Sequence, residues 1–169
     1  KHVSVTPDFG ISDVDPGQFK AQNTPAGFGQ VSSSDVGLLN VQGTASLVFG
    51  IPVTTGLRNA LQEAQIATGA IDGSCAVGDE TEACMPSLST HQIASIYSGQ
   101  LDSWDQLVVD TSTGAGLFSF ASAKPLSDRV HICRRVNGSG TQAQHGIKFL
   151  NTPCNAAAQV PAISTFGTP

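Results

Sequence analysis

Apolar residues recur along the chain in short clusters, and changes in their spacing divide it into strands and helices. The stretch "VSVTPDFGISD" (3–13) reads as a short strand running into a turn, and "VQGTASLVFGIPV" (41–53), rich in Val, Leu, Phe and Ile, as a buried strand. Between them "VDPGQFKAQNTPAGFGQVSSSD" (14–35) is dominated by turn-forming residues, which predicts a loop with one short helical turn. After Pro52 the period lengthens: Leu57, Ala60, Leu61 and Ala64 fall at helical spacing, and Gly69 ends the pattern. "SLSTHQIASIYSGQ" (87–100) predicts a second helix, capped by Ser89 or Thr90, apolar at Ile93, Ile96 and Tyr97, and closed by Gly99. "LDSWDQL" (101–107) is a turn carrying the only tryptophan, "RVHICRRV" (129–136) a strand ending at two arginines, and "TQAQHGIKFLN" (141–151) a helix with Ala143, Ile147 and Leu150 facing inward. Strands alternating with helices predict an α/β fold with a largely parallel sheet.

Composition narrows this picture. With 169 residues, 40% of them hydrophobic, the chain is long enough to bury a core. Only 12% of residues are charged, while 18 glycines and 9 prolines imply a loop-rich chain of a kind commoner among exported proteins. The net charge of -5 argues against nucleic acid or an anionic membrane surface as partner, since both call for a basic face. An anion bound here must therefore be attracted by local geometry. No apolar run is long enough to span a bilayer and Lys1-His2 opens no signal peptide, so the expectation is a cytosolic chain or a mature, trimmed one, peripheral to a membrane at most.

The cysteines favour the second. Cys75 and Cys84 lie nine apart in the polar loop "GSCAVGDETEAC" (73–84), without metal-ligand spacing, which predicts a disulfide contributing about 2 to 3 kcal/mol by loop closure. Cys133 and Cys154 could pair with each other or stay single, and an even count favours an oxidising compartment. His2, His91, His131 and His145 are scattered, so no metal site is expected, and no cofactor. Trp104 with Tyr97, and the amphipathic "RNALQEAQIA" (58–67), read as packing residues rather than as a stacking platform or a docking helix.

The chemistry gathers in "RRVNGSGT" (134–141). Strand, then Gly-Ser-Gly-Thr, then helix is an arrangement in which unpaired backbone N–H groups and the positive end of the helix dipole face outward. Gly138 and Gly140 let the backbone approach an oxyanion closely, Ser139 and Thr141 add hydroxyl donors, and Arg135 adds a planar two-pronged donor suited to phosphate or carboxylate. The plainer reading is Thr141 as a helix cap and Arg135 as a solvated strand-end residue; on local sequence the two stand level. Ser139 as an esterase nucleophile is disfavoured, because Asn137 and Thr141 replace the glycines of a G-x-S-x-G elbow.

A second stretch, "DFGISD" (8–13), places Ser12 and Asp13 in a glycine-containing turn. Together with "SLVFGIPV" (46–53), "STHQIASIYSGQLDSWDQL" (89–107) and "RRVNGSGT", in this order, it resembles the periplasmic phosphate-binding proteins of phosphate ABC transporters. The likeness covers residues 8 to 150. It implies a periplasmic-binding-protein-like α/β fold of two lobes, each with a central, mostly parallel sheet. Residues 1–45 would belong to the first lobe and 46–169 to the second. It also implies that Asp13, Arg135, Ser139, Gly140 and Thr141 touch the anion, with Ser12, Asn137 and Gly138 in support. Asp13 accepts hydrogen bonds only, so it is satisfied by an oxyanion that still carries a proton. Hydrogen phosphate has that proton and sulfate lacks it, and leaving a buried acceptor unpaired supports discrimination of about 10⁴-fold.

Many members carry an acidic residue where this chain has Asn137, so Arg135 is expected to be less compensated here. The family's chains also begin upstream, with a first strand and a Gly- and Ser-rich loop, and continue downstream, so the resemblance implies a partial chain. The expected protein is a periplasmic or secreted monomer that binds inorganic phosphate, passes it to an ABC permease and performs no catalysis. Another tetrahedral oxyanion, or a role in adhesion or partner inhibition, stands as the alternative.

Overall fold

A computed structural model of the chain describes residues 6, 8–20, 23–46, 48–122, 124 and 127–151. The contacts divide it into two units. One comprises the described residues of Lys1–Val48 and Arg134–Ala157, the other those of Phe49–Cys133. Among the described residues the chain passes between units near 48 and near 133, and the arginine-bearing turn belongs with the first 48 residues, whereas the sequence alone grouped it with residues 46–169.

In the unit of residues 49–133, two helices appear where the spacing predicts them, and a five-residue helix in the other unit, at the end of the 14–35 loop, precedes them. Numbered along the chain, these are α1 (Ser33–Gly37), α2 (Thr55–Ala67) and α3 (Thr90–Tyr97). The Thr54 side chain caps α2 by accepting from the Leu57 N–H, and Gly69, with φ +75°, lets the chain leave the helix. Ser89, not Thr90, caps α3: its hydroxyl accepts from Gln92 N–H while the Gln92 side chain accepts from Ser89 N–H, a complete capping box. Ala60, Leu61 and Ala64 of α2 meet Ile96 of α3, and Leu101, Leu107, Leu117, Ala121 and Val130 complete the core. Trp104 and Tyr97 pack against that core, as packing residues do. Burial, and then the neighbouring Cys133, push the Tyr97 hydroxyl above its ordinary pKa.

Two glutamines on the inner face of α2 fix the loop that the disulfide closes and the segment that follows it. Gln62, fully buried, donates through Nε2 to the carbonyls of Asp79 and Cys84 and accepts from the Gly78 N–H. Gln65 donates to the Ser87 carbonyl and accepts from the Ser87 N–H. A buried backbone group left unmet costs about 1–3 kcal/mol, so these side chains substitute for the secondary structure that the loop lacks. Within the loop Cys75 and Cys84 form the disulfide that their spacing predicts.

The sheet departs from expectation. Among the described residues the only strands are β1 (Val108–Asp110) and β2 (Ala115–Gly116), antiparallel and joined by a turn that Asp110 organises. Hydrogen bonds from Ser112 and Thr113 hold the Asp110 carboxyl down to about 2. The stretches 8–13, 41–46, 48–53 and 130–136 run without strand partners; at the edge of the last, Arg129 makes a single antiparallel bridge to Ser103. Side-chain pattern specifies which face of a strand is buried, but a strand forms only where another backbone pairs with its N–H and C=O groups. Val48 and Phe49 accordingly stand exposed. No described helix is long and apolar enough to cross a membrane.

Candidate anion site

The unit built from the described residues of 1–48 and 134–157 contains every residue of the candidate site. Besides α1 it holds α4 (Gly140–His145), which continues through a wider turn (Gly146–Leu150) and ends at Asn151 in the left-handed region, φ 54°. Ala143 and Leu150 are buried on its inner side. The Ser139 hydroxyl caps the helix by accepting from the Gln142 N–H at 3.4 Å, so Ser139, not Thr141, is the cap.

Before the helix the backbone makes a tight turn, Ser139 N–H donating to the Val136 carbonyl at 3.3 Å. Gly138 occupies its third position with φ +86°, a conformation that side-chain-bearing residues adopt only at a cost. A Cβ at this position would meet Pro25 Cγ at 2.4 Å. The turn is therefore pressed against the segment around Pro25, where Asn23 is buried and donates to the Gln18 carbonyl.

The second close approach joins the two motifs far apart in sequence. A Cβ added to Gly140 would lie 2.6 Å from Asp13 Cβ and 3.1 Å from Asp13 Oδ2. Asp13 thus rests directly on the first residue of α4, its carboxylate beside the helix N-terminus, where negative charge is favoured. Only glycine at position 140 permits this. Asp13 itself is exposed, so a solute can reach it. Ser12 is turned elsewhere: its hydroxyl donates to the Val14 carbonyl and accepts from the Val14 N–H, a local turn that fixes the direction in which Asp13 leaves the backbone.

The two arginines behave differently. Arg134 folds over its own turn, with Nε donating to the Arg135 carbonyl at 3.1 Å and Nη2 donating to Asn137 Oδ1. Arg135 is exposed, and among the described residues its guanidinium has neither hydrogen bond nor ion pair with the protein, which leaves its two-pronged donor face for a solute. Its backbone N–H donates to Gln142 Oε1 at 3.2 Å. Gln142 is buried and so anchors the arginine's backbone to the helix.

The supporting residues Gln142, Pro25 and Arg134 were not singled out by sequence reasoning. Ser139 and Gln142 do spell the S-x-x-Q signal of a capping box, yet the Gln142 side chain reaches back to Arg135 rather than to the cap. Nothing in the local sequence announced Pro25, whose role depends on a contact between distant segments. Cys133 is exposed, and Cys154 lies outside the described residues, as does His2. No group of His, Cys, Asp or Glu among the described residues is arranged to hold a metal ion.

Comparison of the chain with protein-family models, with curated proteins and with solved structures finds no match.

Proposed function

We propose that this protein is an extracytoplasmic solute-binding protein that captures inorganic phosphate and delivers it to an ABC-type permease. The observation that carries this reading is the packing of Asp13 on Gly140, because it unites the two separate motifs on which the resemblance to phosphate-binding proteins rests. Each component has a physical part. The Gly140 and Thr141 amides at the start of α4 donate to the anion, the unengaged Arg135 guanidinium neutralises its charge, and Asp13 accepts the proton of hydrogen phosphate. No bond is made or broken, so the protein is a carrier rather than an enzyme. The Cys75–Cys84 disulfide fits an oxidising compartment such as the periplasm or the extracellular space.

Calorimetric titration of the protein with phosphate and with sulfate tests the proposal. A saturable response to phosphate at micromolar concentration or below, with none to sulfate at the same concentrations, is expected. Heat from sulfate equal to that from phosphate would reassign the site to oxyanions in general, and silence toward both would remove it.

A further inference from the structure

Asn137 precedes Gly138 in the only Asn-Gly pair of the chain, on the exposed turn that leads into α4. We infer that this pair is a site of spontaneous deamidation, through which the turn gains a carboxylate opposite Arg134. The reaction needs only water. The Gly138 backbone nitrogen attacks Asn137 Cγ; the new C–N bond closes a five-membered succinimide, the nitrogen gives up its proton, and the carboxamide nitrogen departs as ammonia. Water then opens the ring at either carbonyl, giving aspartate or, with the chain rerouted through the side chain, isoaspartate. Carbon, nitrogen and electrons balance as asparagine plus water going to acid plus ammonia, with no oxidant or reductant.

Three features of the turn favour this step. The attacking nitrogen belongs to a glycine, so no side chain shields it, and the fold itself imposes the glycine: φ +86° and the Pro25 contact exclude a larger residue. Gly138 N–H donates no hydrogen bond among the described residues, so no ladder bond has to break. Arg134 Nη2 donates to Asn137 Oδ1, which draws electron density from Cγ and makes it a better electrophile. The same guanidinium then faces the product carboxylate, turning a hydrogen bond from a cation to a neutral amide into an ion pair. The rest of the chain offers a built-in comparison, because Asn40 is also exposed and outside any helix or strand but is followed by the branched Val41.

Incubating the folded protein at neutral to mildly alkaline pH, and mapping its peptides by mass spectrometry at intervals, measures the conversion. Asn137 is expected to convert to aspartate and isoaspartate severalfold faster than Asn40 in the same molecules. An acidic form should accumulate on ion exchange that Asn137→Gln, whose longer side chain disfavours the five-membered ring, does not produce. Conversion at 137 no faster than at 40, or an acidic form that persists in Asn137→Gln, overturns the inference. Neither readout depends on phosphate binding, so it stands or falls apart from the proposed function.

Discussion

Asp13→Asn is expected to abolish most of the protein's preference for phosphate over sulfate while leaving the fold intact. The wild-type carboxylate is an acceptor only, and it stands beside the helix N-terminus within contact of Gly140. A ligand that brings a proton satisfies it, and one without a proton sets two acceptors against each other. A site built around such a hydrogen bond rejects the analogue lacking it, though less strongly at the exposed Asp13 than a fully buried acceptor would. Asparagine has nearly the same volume, so the close approach to Gly140 survives, but its amide can turn an N–H toward a fully ionised oxyanion. Paired calorimetric titrations of wild type and variant should therefore show the phosphate-to-sulfate affinity ratio falling by about 10- to 100-fold, much of it through gained sulfate binding. Unchanged thermal unfolding would confirm that the loss is one of selectivity. A ratio within a few-fold of wild type would mean that Asp13 is the helix-end charge of an ordinary fold.

The largest stability effect is expected at Gly138→Val. A β-branched residue in the left-handed region costs about 1–2 kcal/mol. The new Cβ also falls 2.4 Å from Pro25 Cγ, and forced overpacking adds about 1–3 kcal/mol. The combined cost of about 2–5 kcal/mol should appear in urea unfolding as a lower midpoint. The same strain should displace Gly140 from Asp13, so phosphate affinity should fall together with stability. Pro25→Ala in the variant background would relieve the steric part and leave the backbone part. Recovery of part of the loss would identify the contact, and no recovery would assign the whole effect to backbone conformation.

What could be read in the sequence, and what could not, follows from the range of the interactions involved. The helices α2 and α3 were legible because their caps, apolar stripes and terminal glycines act within a few residues: Thr54, Ser89 with Gln92, Gly69 and Gly99 all perform locally the parts their positions suggest. The Cys75–Cys84 pair was legible for the same reason. Residues 41–53 and 130–136 have strand composition, but strand formation depends on a distant partner, and no described residue supplies one. At the candidate site, Gly138, Gly140 and Asp13 were visible as motif residues. That Asp13 lies against Gly140, that Pro25 backs Gly138 and that Gln142 holds Arg135 are tertiary facts without a local signature. Arg135 was named from its place in the motif, and side-chain geometry adds that Arg134 turns toward Asn137 instead.

The central claim is that Asp13 and the turn from Gly138 to Thr141 form one oxyanion site. Amide resonances of isotopically labelled protein, followed as phosphate is added, test it at the atoms concerned. The signals of Asp13, Ser139, Gly140 and Thr141 are expected to move together along one saturation curve, and sulfate at equal concentration to leave them in place. Phosphate that shifts resonances elsewhere while these four stay still would contradict it.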